Sequence, residues 1–206
     1  MGTLAFMISE FEVAGEIMNV LQDHDKIRTW LISAADSAIS LPSKAVAKEG
    51  ALRLRSAIDR AVPIPYEPQK QGALQSLGDV CDTPRAREFA ELAGSLRWVE
   101  SERWNDGGKE RALCVLSDAF DLPGLEVGIM YVDSGCVYPI HNHPPQEVYL
   151  TISGTAQWRY GGSKTLVDVR PDSVLYNHPF DLHTVQAGDS PLVALYVLWG
   201  DEVIKS

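Results

Sequence analysis

His141 and His143 stand two residues apart, Glu147 follows four later and Tyr149 two after that, so two imidazoles, a carboxylate and a phenol occur within nine residues. Imidazole nitrogen and carboxylate oxygen together form the mixed donor set that binds divalent transition metals, whereas Ca²⁺ and Mg²⁺ want more oxygen. The surrounding stretch, 135–154, is rich in Val, Ile, Leu and Thr and is bounded by Gly and Pro, the composition of strands joined by a tight connection. Residues of equal parity share a face of a strand. His141 and His143 are therefore expected on one face, Glu147 and Tyr149 share another beyond Pro144-Pro145, and all four can converge from one hairpin. Of the five histidines, His24 alone lies in the N-terminal half; His141, His143, His178 and His183 gather in the C-terminal half. His24, between Asp23 and Asp25, reads as a surface or hydrogen-bonded histidine, and His178, before Pro179, as a structural one.

A lone hairpin is marginal in water, so the elements around it must hold these side chains. From Leu96 onward, short runs rich in Val, Leu, Tyr and Trp occur at 112–116, 125–133, 148–153, 156–160, 166–169, 174–176, 183–187 and 191–199, separated by Gly, Asp, Ser or Pro. Regular short strands with turn signals predict a sandwich or barrel, into whose interior residues from different strands can converge. Residues 1 to about 62 read instead as helical: Ala is frequent, Leu54, Ile58 and Ala61 recur at helical spacing, and Pro42 separates two helices. Three prolines between Val62 and Pro68 end the helix and mark a linker at 63–72. Thr83-Pro84 predicts the N-cap and first position of a further helix that stops at Gly94. The expected division is a helical region over 1–95 and a β domain over 96–206, enough chain for one sizeable core.

With a net charge of −10 and a pI near 4.9, nucleic acid and anionic membrane surfaces are disfavoured partners. No window reaches the ~18 uninterrupted apolar residues of a membrane helix, and the N-terminus lacks the basic n-region of a secretory signal. Cys81, Cys114 and Cys136 are odd in number and widely spaced, which fits reduced thiols and a cytoplasmic setting.

The spacing Gly135-x5-His141-x-His143-x3-Glu147-x6-Gly154 resembles the first signature motif of the cupin superfamily. The second motif is matched in part: Pro171-Asp172-Ser173, Pro179 and His183 occupy its places, with Ser173 where the turn glycine stands and no Asn after the histidine. Within cupins, the string from Val137 to Trp158 is similar to the cupin-type dimethylsulfoniopropionate lyases. That resemblance implies a mainly β chain with an α-helical N-terminal part and a single double-stranded β-helix (jelly-roll) barrel. It implies His141, His143, Glu147 and His183 as ligands of a divalent transition metal, Fe, Mn, Zn, Ni or Co, Tyr149 as catalytic base, and Tyr138 as a pocket tyrosine. Strict alternation would put Tyr138 on the face opposite the histidines, unless a bulge at Pro139 turns it back.

The reaction implied is cleavage of a small-molecule substrate, dimethylsulfoniopropionate, to dimethyl sulfide and acrylate. It requires a base and an electrophile that stabilises enolate-like charge, which a tyrosine and a metal can supply. The sulfonium end calls for aromatic faces; Trp158, Tyr160, Tyr196 and Trp199 are candidates, Trp199 foremost. Since a ligand set does not determine a reaction, a dioxygenase, an isomerase and a non-catalytic small-molecule-binding cupin are the alternatives. The helical region could cover an open barrel end or form a homodimer surface.

Overall fold

Leu192, Ala194 and Tyr196 point to one side of their strand and Val193, Leu195, Val197 and Trp199 to the other, and both sides are buried. Such continuous apolar runs mark strands covered on both faces. The structure, a computed structural model, describes residues 23–66, 83–99, 111–200 and 203. The helices are α1 (residues 23–40), α2 (Ala45–Ile58) and α3 (Pro84–Ala93). The strands are β1 (Arg111–Val115), β2 (Leu125–Val132), β3 (Val137–His141), β4 (Gln146–Ser153), β5 (Ala156–Arg159), β6 (Val167–Val169), β7 (Val174–Asn177), β8 (His183–Ala187) and β9 (Leu192–Trp199).

All pairings are antiparallel and form two sheets, β1-β2-β9-β4-β7 and β3-β8-β5-β6. The five-stranded sheet is covered on one face by the helices and on the other by the four-stranded sheet. The outer face of the smaller sheet is open, and β8 and β5 accordingly alternate between buried and solvent-accessible positions. The chain is thus mainly β with N-terminal helices and carries the cupin-type pair of opposed sheets.

Local chemistry explains the helical boundaries. Pro42 lies between α1 and α2, and α2 ends at Ile58, ahead of Pro63. Thr83 caps α3 by accepting from the amide of Ala86 at 3.0 Å, Pro84 occupies the first turn and Gly94 follows its end. Thr83 Oγ1 also donates to the carbonyl of Ile152 in β4, tying α3 to the sheet. The expected helix over 1–22 and the linker residues 67–72 lie outside the described residues. The linker's first part docks on the β region, through a bridge between Pro63 and Phe120 and a hydrogen bond from Ile64 N to the carbonyl of Ala119. At the second motif's turn, Asp172 takes the left-handed conformation (φ 61°), which an Asp tolerates.

The structure corrects the single hairpin. β3 pairs with β8 in one sheet and β4 with β7 and β9 in the other, so residues 142–145 cross between sheets. Cys114 and Cys136 are in no disulfide; Cys81 lies outside the described residues. Among the described residues, no helix is long and apolar enough to cross a membrane.

Candidate functional site

Register across the five-stranded sheet sets one wall of the site. Glu126 of β2 faces Leu198 of β9, Leu198 faces Glu147 of β4, and Glu147 faces Asn177 of β7. Two residues along, Gly128, Tyr196, Tyr149 and Leu175 form the next row. Both rows have the parity that points toward the smaller sheet, where β3 and β8 place His141 directly opposite His183. Between Tyr138 and His141 the register slips, three residues on β3 spanning two on β8. This bulge at Pro139 and Ile140 turns Tyr138 to the same face as His141.

The three imidazoles each present one nitrogen within 4.8 Å of the others. His141 and His183 have ring centroids 4.1 Å apart, and His143, beyond the end of β3, lies 5.0 Å from His183. Each Nδ1 meets a backbone carbonyl: His141 that of Pro139 at 2.9 Å, His143 that of Pro145 at 3.0 Å and His183 that of Asp181 at 2.8 Å. A carbonyl only accepts, so Nδ1 carries the hydrogen and Nε2 is left for the centre. Glu147 Oε2 sits 3.4 Å from His143 Nε2 and 3.2 Å from His183 Nε2. Asn177 Nδ2 donates to that same oxygen at 2.9 Å.

His143 Nε2 and His183 Nε2 are buried with no hydrogen-bond partner. A neutral imidazole lone pair facing a carboxylate oxygen is repulsive unless something positive lies between them. Metal–nitrogen bonds of ~2.0–2.1 Å would set neighbouring ligand atoms roughly 3.0–3.4 Å apart, and the two distances to Glu147 fall in that range. His141, His143, His183 and Glu147 therefore fit a divalent transition metal. Burial, then neighbouring His183, pushes His141 down to about 4, so its imidazole is neutral at ordinary pH. Burial alone would raise the Glu147 carboxyl, but His143, His183 and Asn177 together hold it below the usual carboxylate value. Burial would likewise lower His143, and the adjacent Glu147 reverses the sign. Asn177→Leu, which removes the amide that orients Glu147, is expected to weaken metal binding by about 10–100-fold, measured by competition against a chelator.

The cluster opens on a cavity of ≈ 300 Å³ lined by Leu113, Glu126, Met130, Tyr138, His141, Asn142, His143, Glu147, Tyr149, Tyr196 and Leu198. Tyr149 is buried, meets Trp158 edge-on at 4.8 Å and lines the cavity together with Glu147. Burial first and the Glu147 carboxylate second push that phenol well above its ordinary value. Tyr138 packs 5.0 Å from the His141 ring.

Five of the seven candidate residues thus line one cavity, and His183 joins them through the imidazole cluster. The seventh does not. Trp199 pairs with Leu125 and Gln146, one step out of phase with the Glu126–Leu198–Glu147 row, and so faces the helices. There it fills the space above Gly50, where a Cβ would come within 2.5 Å of its ring. Trp199→Ala is expected to cost ~3–5 kcal/mol of stability, read as a drop in Tm, while Trp199→Phe leaves KM unchanged. His178 lies outside the ligand cluster, edge-on to Tyr176 at 4.7 Å, and His24 is buried against the carbonyl of Ile64 at 3.0 Å. Glu126 and Asn177 were not anticipated from the sequence; strand register is the signal that places them.

Residues 85–194 match the family model of dimethylsulfoniopropionate lyase. Dimethylsulfoniopropionate lyase DddQ of Ruegeria pomeroyi is 30% identical over 90 residues, 42% of this chain. That match spans 43% of the relative, less than half its length. The crystal structure of DddQ from Ruegeria pomeroyi DSS-3 aligns with a TM-score of 0.63 at 20% identity, over 71% of this chain and 81% of that one. A chain from the crystal structures of the dimethylsulfoniopropionate lyases RdDddP and RnDddQII aligns with a TM-score of 0.70 at 18% identity, over 89% and 97%. At these identities the two structures establish a shared fold.

Proposed function

We propose, because the chain belongs to the dimethylsulfoniopropionate lyase family, that it cleaves dimethylsulfoniopropionate to dimethyl sulfide and acrylate by metal-dependent β-elimination. The observation that carries this reading is the Tyr149 phenol, which lines with Glu147, His141 and His143 the cavity onto which the histidine cluster opens. His141, His143, Glu147 and His183 would hold the ion, which when bound would supply a Lewis acid for the substrate carboxylate and a positive field that offsets Glu147 and lowers the phenol pKa.

As phenolate, Tyr149 Oη takes the proton from the carbon beside the substrate carboxylate. The electron pair of that C–H bond becomes the C=C bond of acrylate, and the C–S bond breaks with its pair on sulfur, releasing neutral dimethyl sulfide. Tyr149 then returns the proton to solvent and the cycle closes. Tyr138, its ring tilted against that of His141, flanks the substrate. Leu113, Met130 and Leu198 give the sulfonium methyl groups apolar contact and limit the water that would compete for the phenolate.

Headspace dimethyl sulfide is the test, with the protein loaded separately with Fe(II), Mn(II), Co(II), Ni(II) or Zn(II). Release from at least one form, lost on chelation, is expected; none from any form contradicts the reading.

A further inference from the structure

We infer that Glu126, held by Tyr196, is the subsite that recognises the cationic end of the substrate. This rests on the lyase reading and extends it to specificity. A sulfonium is a permanent cation with no N–H or O–H to donate, so a protein can select it only through aromatic faces and negative charge. The lining of the cavity fits that requirement: among its described residues there is no Lys or Arg, and its carboxylates are Glu147, engaged with the histidines, and Glu126.

Glu126 sits on β2 across Leu198 from Glu147. Two inter-strand steps separate the two backbones by roughly 10 Å, room for a small zwitterion seated between them with its carboxylate at the histidine cluster. Tyr196 Oη donates to Glu126 Oε1 at 3.3 Å and presents its ring to the same cavity. Gly128 makes this possible: a Cβ there would run into the Tyr196 hydroxyl and the backbone carbonyl of Cys114. A neutral thioether acid gains nothing from Glu126, whereas a sulfonium or quaternary ammonium of the same length does.

Glu126→Gln keeps the shape and can still accept from Tyr196 while removing the charge. In the metal-loaded protein, KM for dimethylsulfoniopropionate is expected to rise roughly tenfold, the size of one partly desolvated cation contact, with kcat little changed. Calorimetry with two non-sulfonium probes gives the second readout. Binding of 3-(trimethylammonio)propionate should weaken by a similar factor, and binding of 3-(methylthio)propionate should stay as in the wild type, which also shows that the variant is folded. An equal loss for both probes, or no loss for either, overturns the subsite. If the wild-type protein releases no dimethyl sulfide and the selective loss is still seen, the lyase reading fails and the subsite stands.

Discussion

Tyr149→Phe is expected to keep the fold and the metal and to lower turnover by roughly 10²–10⁴-fold, the usual contribution of a positioned base. The ring is buried between the sheets against Trp158 and Tyr196, and Phe preserves that packing. Glu147 keeps its hydrogen bond from Asn177. Metal content by elemental analysis, together with kcat from dimethyl sulfide release, separates loss of the base from loss of the ion. Near-normal turnover would transfer the base role to another group, Tyr138 and Tyr196 being the other phenols in the cavity.

Glu147→Gln is expected to have the larger effect on metal. Glu147 is the anionic member of the cluster, buried and held below the usual carboxylate value by the histidines and Asn177. Replacing it leaves three imidazoles and no charge to offset a dication. The fall in metal affinity should exceed the roughly 100-fold that loss of an outer partner can cause, with turnover falling in proportion. A variant that retains full metal occupancy would show that the imidazoles suffice. Because a proton and the ion compete for Nε2 of His143, and Glu147 raises the imidazole's proton affinity, metal uptake should release protons and weaken as pH falls.

Much of this site is legible in residue order. The spacing of His141, His143 and Glu147 and the strand signals around them point to a metal site within a sandwich or barrel, and the Thr83-Pro84 cap marks α3. What order does not contain is phase. Trp199 looks like a cage residue by type, and only its pairing with Gln146, rather than Glu147, turns it toward the helices. Tyr138 reads as facing away from His141 until the bulge at Pro139 reverses it. Asn177 and Glu126 carry no motif. They join the site because β7 and β2 bring them into one row with Glu147, 30 residues away and 21 residues away in the chain. The crossing at 142–145 was hidden for a related reason: a Pro-Pro connection between two strands suits a hairpin and a passage between sheets equally well.

Proton NMR of dimethylsulfoniopropionate incubated with the metal-loaded protein tests the central claim most directly, because it identifies both products at once. Acrylate and dimethyl sulfide in equal amounts are expected, with both absent after chelation. Intact substrate with every metal, or 3-hydroxypropionate formed in place of acrylate, would contradict a β-elimination at this site.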